Sequence, residues 1–466
     1  MMEEKSILIG NGININFGGK AYSNQFILKR IIFNARADKY GPLVNEIVSG
    51  EEIAKIFANF VSIANDIREG EYDAYANGED VAILEDFKNR YNWRLTHYYE
   101  IGLEDWFFIL HIYCLSHKEL SENQKFLKQG FERMMLDAIY NDGDIQKLYM
   151  KMGRPVKKWL LEFDSVFTLN YDNNIEKLTH KQVFHLHGDY GTLANSENPA
   201  TLFGYIRKQK SENIEIPKGF EHCFCNALFD FMGDHKYKLA LAFEKGEEGF
   251  SDLERRCIPE GALPASISEL LEAHSKHPEL EFGVKYHFSE FRNIKGELHI
   301  IGISPNNDSH IFKLIDGSLV QKVIFYYYSD NEKRKLPIHQ EVEYRSAKEL
   351  WKSLNVAPKK YNCKYPLPKL EKLSKILAIS NSLSCDSISE EELITEVNSI
   401  PQFEVKRLCD MVYKELQRQN GKLVPQNIDE FLKHSREISR IALRYGILPS
   451  ALVVHVIMNK NICAKK

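Results

Sequence analysis

Four short clusters hold the residues with which this chain could do chemistry. The first, Gly10-Asn11-Gly12-Ile13-Asn14, follows the apolar run Ser6 to Ile9 and precedes a helix-compatible segment beginning near Tyr22. A turn without side chains lets backbone N–H groups and a helix N-terminus meet a pyrophosphate. Such turns are as often plain structure, and the third glycine of the usual dinucleotide fingerprint is not evident. The second, Thr168-Leu169-Asn170-Tyr171-Asp172, sets an amide and a carboxylate two residues apart, on one side of an extended chain. The amide could hold a ribose hydroxyl or a water and the carboxylate a carboxamide; an Asn and an Asp that shape a turn are the plainer alternative.

The third cluster is Phe184-His185-Leu186-His187-Gly188-Asp189. Histidines at i and i+2 share a strand face, so His185, His187 and Asp189 could ligate a metal, although Tyr190 stands where a hydrolase of the metallo-β-lactamase type has its next histidine. A hydrogen-bonded structural histidine is commoner than either role. The fourth, Gly302-Ile303-Ser304, followed by Asp308 and His310, could bring backbone and hydroxyl to a ribose or phosphate, or be an ordinary loop.

The elements that must position these clusters are strands. Ser165 to Leu169, Val183 to Leu186, Leu298 to Ile303 and Val323 to Tyr328 read as strands, the last two almost continuously apolar. Continuous apolar runs suit strands covered on both faces, and open α/β sheets bind ligands at the carboxyl ends of their strands. The expected fold is therefore α/β, a Rossmann-like mostly parallel sheet with a large helical insertion at about 44–160. Within that insertion Ile53, Ile56, Phe57, Phe60 and Val61 recur at helical spacing. Its aromatic stretch from Trp93 to Cys114 reads as core packing rather than a cofactor box. Residues 191–290 give little away. A Pro-bearing, Lys-rich linker from Asn355 to Lys369 then leads to an all-helical C-terminal region. There Phe403, Leu408, Cys409, Met411, Val412 and Leu416, then Ile428, Phe431, Leu432, Ile438, Ile441 and Tyr445, recur at helical spacing. The expected domains are 1–355 and 356–466.

With 466 residues, the chain suits two or three packed units, and 44% hydrophobic with 27% charged residues excludes a disordered or fibrous chain. A net charge of -4 supplies no global basic field, so direct nucleic-acid binding is not expected. No apolar run reaches signal-peptide or membrane-spanning length. Eight scattered cysteines form no C-x-x-C pair. The expected setting is thus the reducing cytoplasm.

Taken in chain order, the four clusters resemble the sirtuin superfamily, in particular the sirtuin-like proteins of bacterial antiphage and abortive-infection systems. Gly10-Asn11-Gly12 stands where these carry Gly-Ala-Gly or Gly-Asn-Gly, and Tyr22 to Phe26 is similar to abortive-infection members. Thr168 to Asp172 looks like the family's Thr-x-Asn-Tyr-Asp, His187-Gly188 like its catalytic His-Gly, and Gly302 to Ser304 like its Gly-Thr-Ser. The likeness covers roughly residues 6 to 330, with long unmatched insertions. It departs from deacylating sirtuins in two ways. Cys223-Phe224-Cys225 lacks the spacing and second pair of their four-cysteine zinc module, so no structural zinc is expected, and their Asp-Phe-Arg motif is missing.

The resemblance implies an NAD+ glycohydrolase that cleaves NAD to nicotinamide and ADP-ribose and acts as the NAD-depleting effector of a bacterial antiphage defence system. His187 would be the base, Asn170 would orient ribose or water, and Asp172 would bind the carboxamide. Gly10, Asn11, Gly12, Asn14, Thr168, Gly188, Gly302, Ser304 and Asp308 would line the NAD site. No cofactor is implied beyond NAD as substrate. The implied partners are further copies of the chain and a defence partner such as an ATPase or a phage-derived trigger. Two rivals stand: a metal-dependent hydrolase built on His185, His187 and Asp189, and a non-catalytic NAD or ADP-ribose sensor.

Overall fold

Lys5–Ile9 forms strand β1, and its Ile7, Leu8 and Ile9 are wholly buried. A strand apolar on both faces needs neighbours on both sides. In this computed structural model β1 has them in Ser165–Thr168 (β2) and Lys295–Ile301 (β4), both parallel, with Ser6 opposite Ser165 and Leu298. Phe184–His185 (β3) extends the sheet beyond β2, while Leu319–Tyr327 (β5) and Glu341–Ser346 (β6) extend it beyond β4. The six strands are all parallel and run in the order β3-β2-β1-β4-β5-β6, so the protein has an α/β fold. Strand β6 escaped the apolar-run criterion. It is an edge strand of half-exposed Glu-Val-Glu-Tyr-Arg-Ser, and its charges suit an edge open to water.

The structure describes residues 4–44, 49–117, 124–210, 216–228, 265–305, 308–330, 336–356, 389–400 and 435–458, with isolated positions 120, 333, 404, 406–408, 410–411 and 414. The expected linker beyond Val356 lies outside them, as do Phe403, Cys409, Val412, Leu416, Ile428, Phe431 and Leu432. Among the described residues no helix is long and apolar enough to cross a membrane.

The chain divides into two compact units, residues 1–17 with 131–357, and residues 18–130 with 358–466. These boundaries differ from those expected, because the helices near the C-terminus share a unit with the helical insertion. Arg30, buried in the helix Asn24–Arg36, donates to the carbonyls of Ala21 (2.7 Å) and Leu443 (3.1 Å), and Lys20 pairs with Glu396 at 2.8 Å. Gly446, at φ +70°, lies so close to Ala21 that a Cβ would fall 2.2 Å from its nitrogen. In the same unit the helix Gly50–Glu69 starts on a capping box, Ser49 with Glu52, and buries Phe57 and Phe60 against Trp106. The aromatic stretch is core packing at Trp106, Phe107 and Phe108, whereas Trp93 is half exposed.

Candidate functional site

All four clusters lie where a strand of the parallel sheet ends: Gly10–Gly12 after β1, Asn170–Asp172 after β2, His187–Gly188 after β3 and Gly302–Ser304 after β4. Since these strands are consecutive neighbours, segments up to about 290 residues apart share one sheet edge.

The two glycine turns interlock. Gly10 N–H donates to the Ile301 carbonyl and Gly12 N–H to the Gly302 carbonyl, both at 2.9 Å. A Cβ on Gly10 would fall 2.5 Å from the Gly302 oxygen, and one on Gly12 2.5 Å from the Gly302 Cα. Gly302 itself has φ +74°. The glycines are required because two backbones touch here. The amides of Gly10 and Gly12, read from the sequence as donors to a pyrophosphate, are engaged by these carbonyls.

The end of β2 is tied to the same turn. Thr168 Oγ1 donates to the Ile9 carbonyl at 3.1 Å and accepts the Asn170 amide at 3.0 Å, while Asn170 Nδ2 reaches the Gly10 carbonyl at 3.3 Å. Buried Asp172 accepts Asn14 Nδ2 (2.7 Å) on one oxygen, and Asn174 N (3.1 Å) and Nδ2 (2.5 Å) on the other. Burial pushes its carboxyl above the usual range, and the hydrogen bonds from Asn14 and Asn174 work against that rise. Asp172 is thus a clamp between two asparagines, which leaves little of it for the carboxamide contact expected of it. Because Asn14 must turn its nitrogen to the carboxylate, its Oδ1 is the atom left over, and this oxygen is buried without a hydrogen-bond donor among the described residues.

The two histidines of the third cluster differ in kind. His185 is held at both nitrogens, Nδ1 to the Asn170 carbonyl (2.9 Å) and Nε2 to Glu176 (2.5 Å). Burial alone would lower its pKa, but the hydrogen bond and charge of Glu176 outweigh that and raise it. His187 instead meets His310, whose helix, Ser309–Asp316, follows β4; their Nε2 atoms are 3.0 Å apart. At that distance one nitrogen carries the proton and the other offers its lone pair. His187 is 4% exposed and His310 0%, so the pair sits out of bulk water.

Asp189 accepts Gly191 N (2.7 Å) on one oxygen and Thr192 Oγ1 (2.8 Å) on the other. Among the described residues, His185, His187 and Asp189 do not gather their donor atoms as a metal would require. Gly188, at φ +80°, packs against Asn226, whose side chain accepts the Asp189 amide at 2.8 Å. Of the other expected residues, Asn11 and Ser304 are exposed, and Asp308 precedes the His310 helix without a side-chain capping bond.

Sequence reasoning missed Asn174, Glu176 and Asn226. Each acts through a turn or a partner up to 37 residues away, and a lone Asn or Glu in a loop carries no spacing signal. Comparison with protein-family models, with curated proteins and with solved structures returned no match.

Proposed function

We propose that the chain is a sirtuin-like, Rossmann-type NAD+ glycohydrolase, the NAD-depleting effector of a bacterial antiphage system. The observation that carries this reading is the gathering of all four clusters on one carboxyl edge of the sheet. The strand order supports it, because β3-β2-β1-β4-β5-β6 is that of dinucleotide-binding folds, which hold their ligand where the order reverses, here between β1 and β4.

In this reading the ribose lies over the interlocked glycine turns. Asn14 Oδ1, buried and without a donor among the described residues, takes a ribose hydroxyl or the carboxamide N–H, and Asp172 fixes Asn14 rather than meeting the substrate. The C1′–N bond to nicotinamide breaks as water forms a C1′–O bond. His187 accepts the proton from water or from a ribose hydroxyl, and His310 keeps one face of the pair able to accept. Release of nicotinamide, ADP-ribose and one proton completes the balance. The cytoplasmic setting, assembly into a homo-oligomer and control by a partner ATPase or phage-derived trigger come from the resemblance alone.

The test is full-length protein incubated with NAD+ and followed by mass spectrometry. Nicotinamide and ADP-ribose in equal amounts, lost in His187→Ala, are expected. NAD+ retained intact in a stoichiometric complex would make the chain a sensor, and cleavage undiminished in His187→Ala would remove the proposed base.

A further inference from the structure

Asp137, near the end of the helix Gln124–Tyr140, meets His222 and Cys223 of the turn Glu221–Phe224. One donor atom from each lies within 4.8 Å of the others, and His222 Nε2 is 3.1 Å from Asp137 Oδ1. Asp137 and Cys223 are buried, and the His222 side chain keeps 10% exposure. The ring of Tyr140 stacks on that of His222, centroids 3.9 Å apart at 14°, and so fixes the imidazole plane.

Carboxylate, imidazole and thiolate are the three side-chain types that bind zinc, and around a tetrahedral ion such donors sit roughly 3.3–3.7 Å apart. The trio is therefore within about an ångström of closing on a metal. Its charges fit as well: one carboxylate and one thiolate with a divalent cation sum to zero, which lowers the cost of burying them.

We propose that Asp137, His222 and Cys223 bind a divalent transition-metal ion, zinc by ligand type, with the fourth position left to water, and that the ion clamps the segments that carry them. The ion joins the helix end to the segment that carries Asn226, and Asn226 in turn holds the turn after His187 through the Asp189 amide and the close approach of Gly188. Tyr190 packs edge-on against Tyr140 between the two features. Spacing within the sequence could not reveal this set, because Asp137 and His222 are 85 residues apart. The proposal needs no assumption about NAD.

The experiment is elemental analysis of full-length protein purified without chelator, followed by Co2+ titration of the chelator-stripped protein. One zinc per chain is expected, and one equivalent of Co2+ giving a near-ultraviolet thiolate-to-cobalt band. Cys223→Ser should lose the band, Asp137→Asn and His222→Gln should weaken Co2+ binding at least about tenfold, and Cys225→Ser should keep it. Stripped wild-type protein of native circular dichroism that shows no such band would overturn the proposal, and this arm does not depend on any variant folding. A band that survives Cys223→Ser would overturn it too.

Discussion

In the sheet-bearing unit, buried polar side chains gather where four strands end. In the helical unit they are dispersed, and Arg30, Asp105 and Glu396 each close on a carbonyl or an opposite charge. Asp105 is the clearest of the latter: Arg90 grips both its oxygens, at 2.6 and 2.8 Å, and Tyr91 donates its hydroxyl at 2.5 Å, so the network leaves nothing for a ligand. Arg30 likewise joins two stretches of chain through their carbonyls. At the strand ends, by contrast, the bonds tie loops to one another, yet among the described residues Asn14 Oδ1 is left without a donor and two imidazoles share one proton position. The difference teaches that burial of polar groups alone does not single out a candidate site; incomplete closure where neighbouring strands end is what points to one.

The comparison can be broken most severely by removing residues 358–466. Apolar Ile438, Ile441, Leu443 and Leu452 are buried in the helical unit. The truncated chain is therefore expected to aggregate, or to lose a large share of its helical circular dichroism. A soluble product with unchanged melting temperature would show that this unit does not need its second segment.

Next in size is His187→Ala. If His187 is the base of the proposed reaction, its loss should lower NAD cleavage by about 10²–10⁴-fold, with about 1–3 kcal/mol of stability lost for the orphaned nitrogen of buried His310. Replacement of Arg30 by Met should cost about 2–3 kcal/mol for two orphaned carbonyls while turnover per folded molecule holds. An Arg30→Met variant that also loses turnover per folded molecule would break the division of labour between the units.

Gly302→Ala tests the interlocked turns. Its Cβ would need φ +74° and would lie 2.8 Å from the Gly10 oxygen, so a loss of about 3 kcal/mol in urea unfolding is expected. A neutral result would mean that the turns separate freely.

The smallest effect is pH-dependent. The pKa of His185 is raised in the folded state above its ordinary value of 6.5. Its pairing with Glu176 therefore stabilises fully below that value and fades as pH rises through the folded one. Glu176→Gln should cost about 1 kcal/mol near pH 6 and progressively less at alkaline pH. A gap that widens as pH rises would reverse the assignment of charge to His185.

Much of the sheet was legible because buried parallel strands are written as local apolar runs; β1, β2, β4 and β5 announce themselves within a few residues. Strand β6 was not, since an edge strand alternates charges. The placement of the four clusters followed from the strands. Their roles did not follow, because what Gly10, Asp172 and Asp189 do depends on Gly302, Asn14 and Thr192, and only the folded chain brings those partners in. The shared unit of residues 18–130 and 358–466 was hidden for the same reason: apolar helix faces state that they need a cover and not which segment supplies it.

The central position of β1 has a consequence for how the molecule is made. Its neighbours, paired through Ser165 and Leu298, lie 159 and 292 residues further on (165 − 6 and 298 − 6). At ribosomal rates of about 5–20 residues per second, Ile7, Leu8 and Ile9 wait roughly 8–30 s for the first partner and 15–60 s for the second. Through that interval the nascent chain carries an unpaired apolar strand, a natural client for a chaperone. His310 emerges later still, so the histidine pair cannot assemble until the 123 residues beyond His187 have been made, and whatever that pair does begins only then.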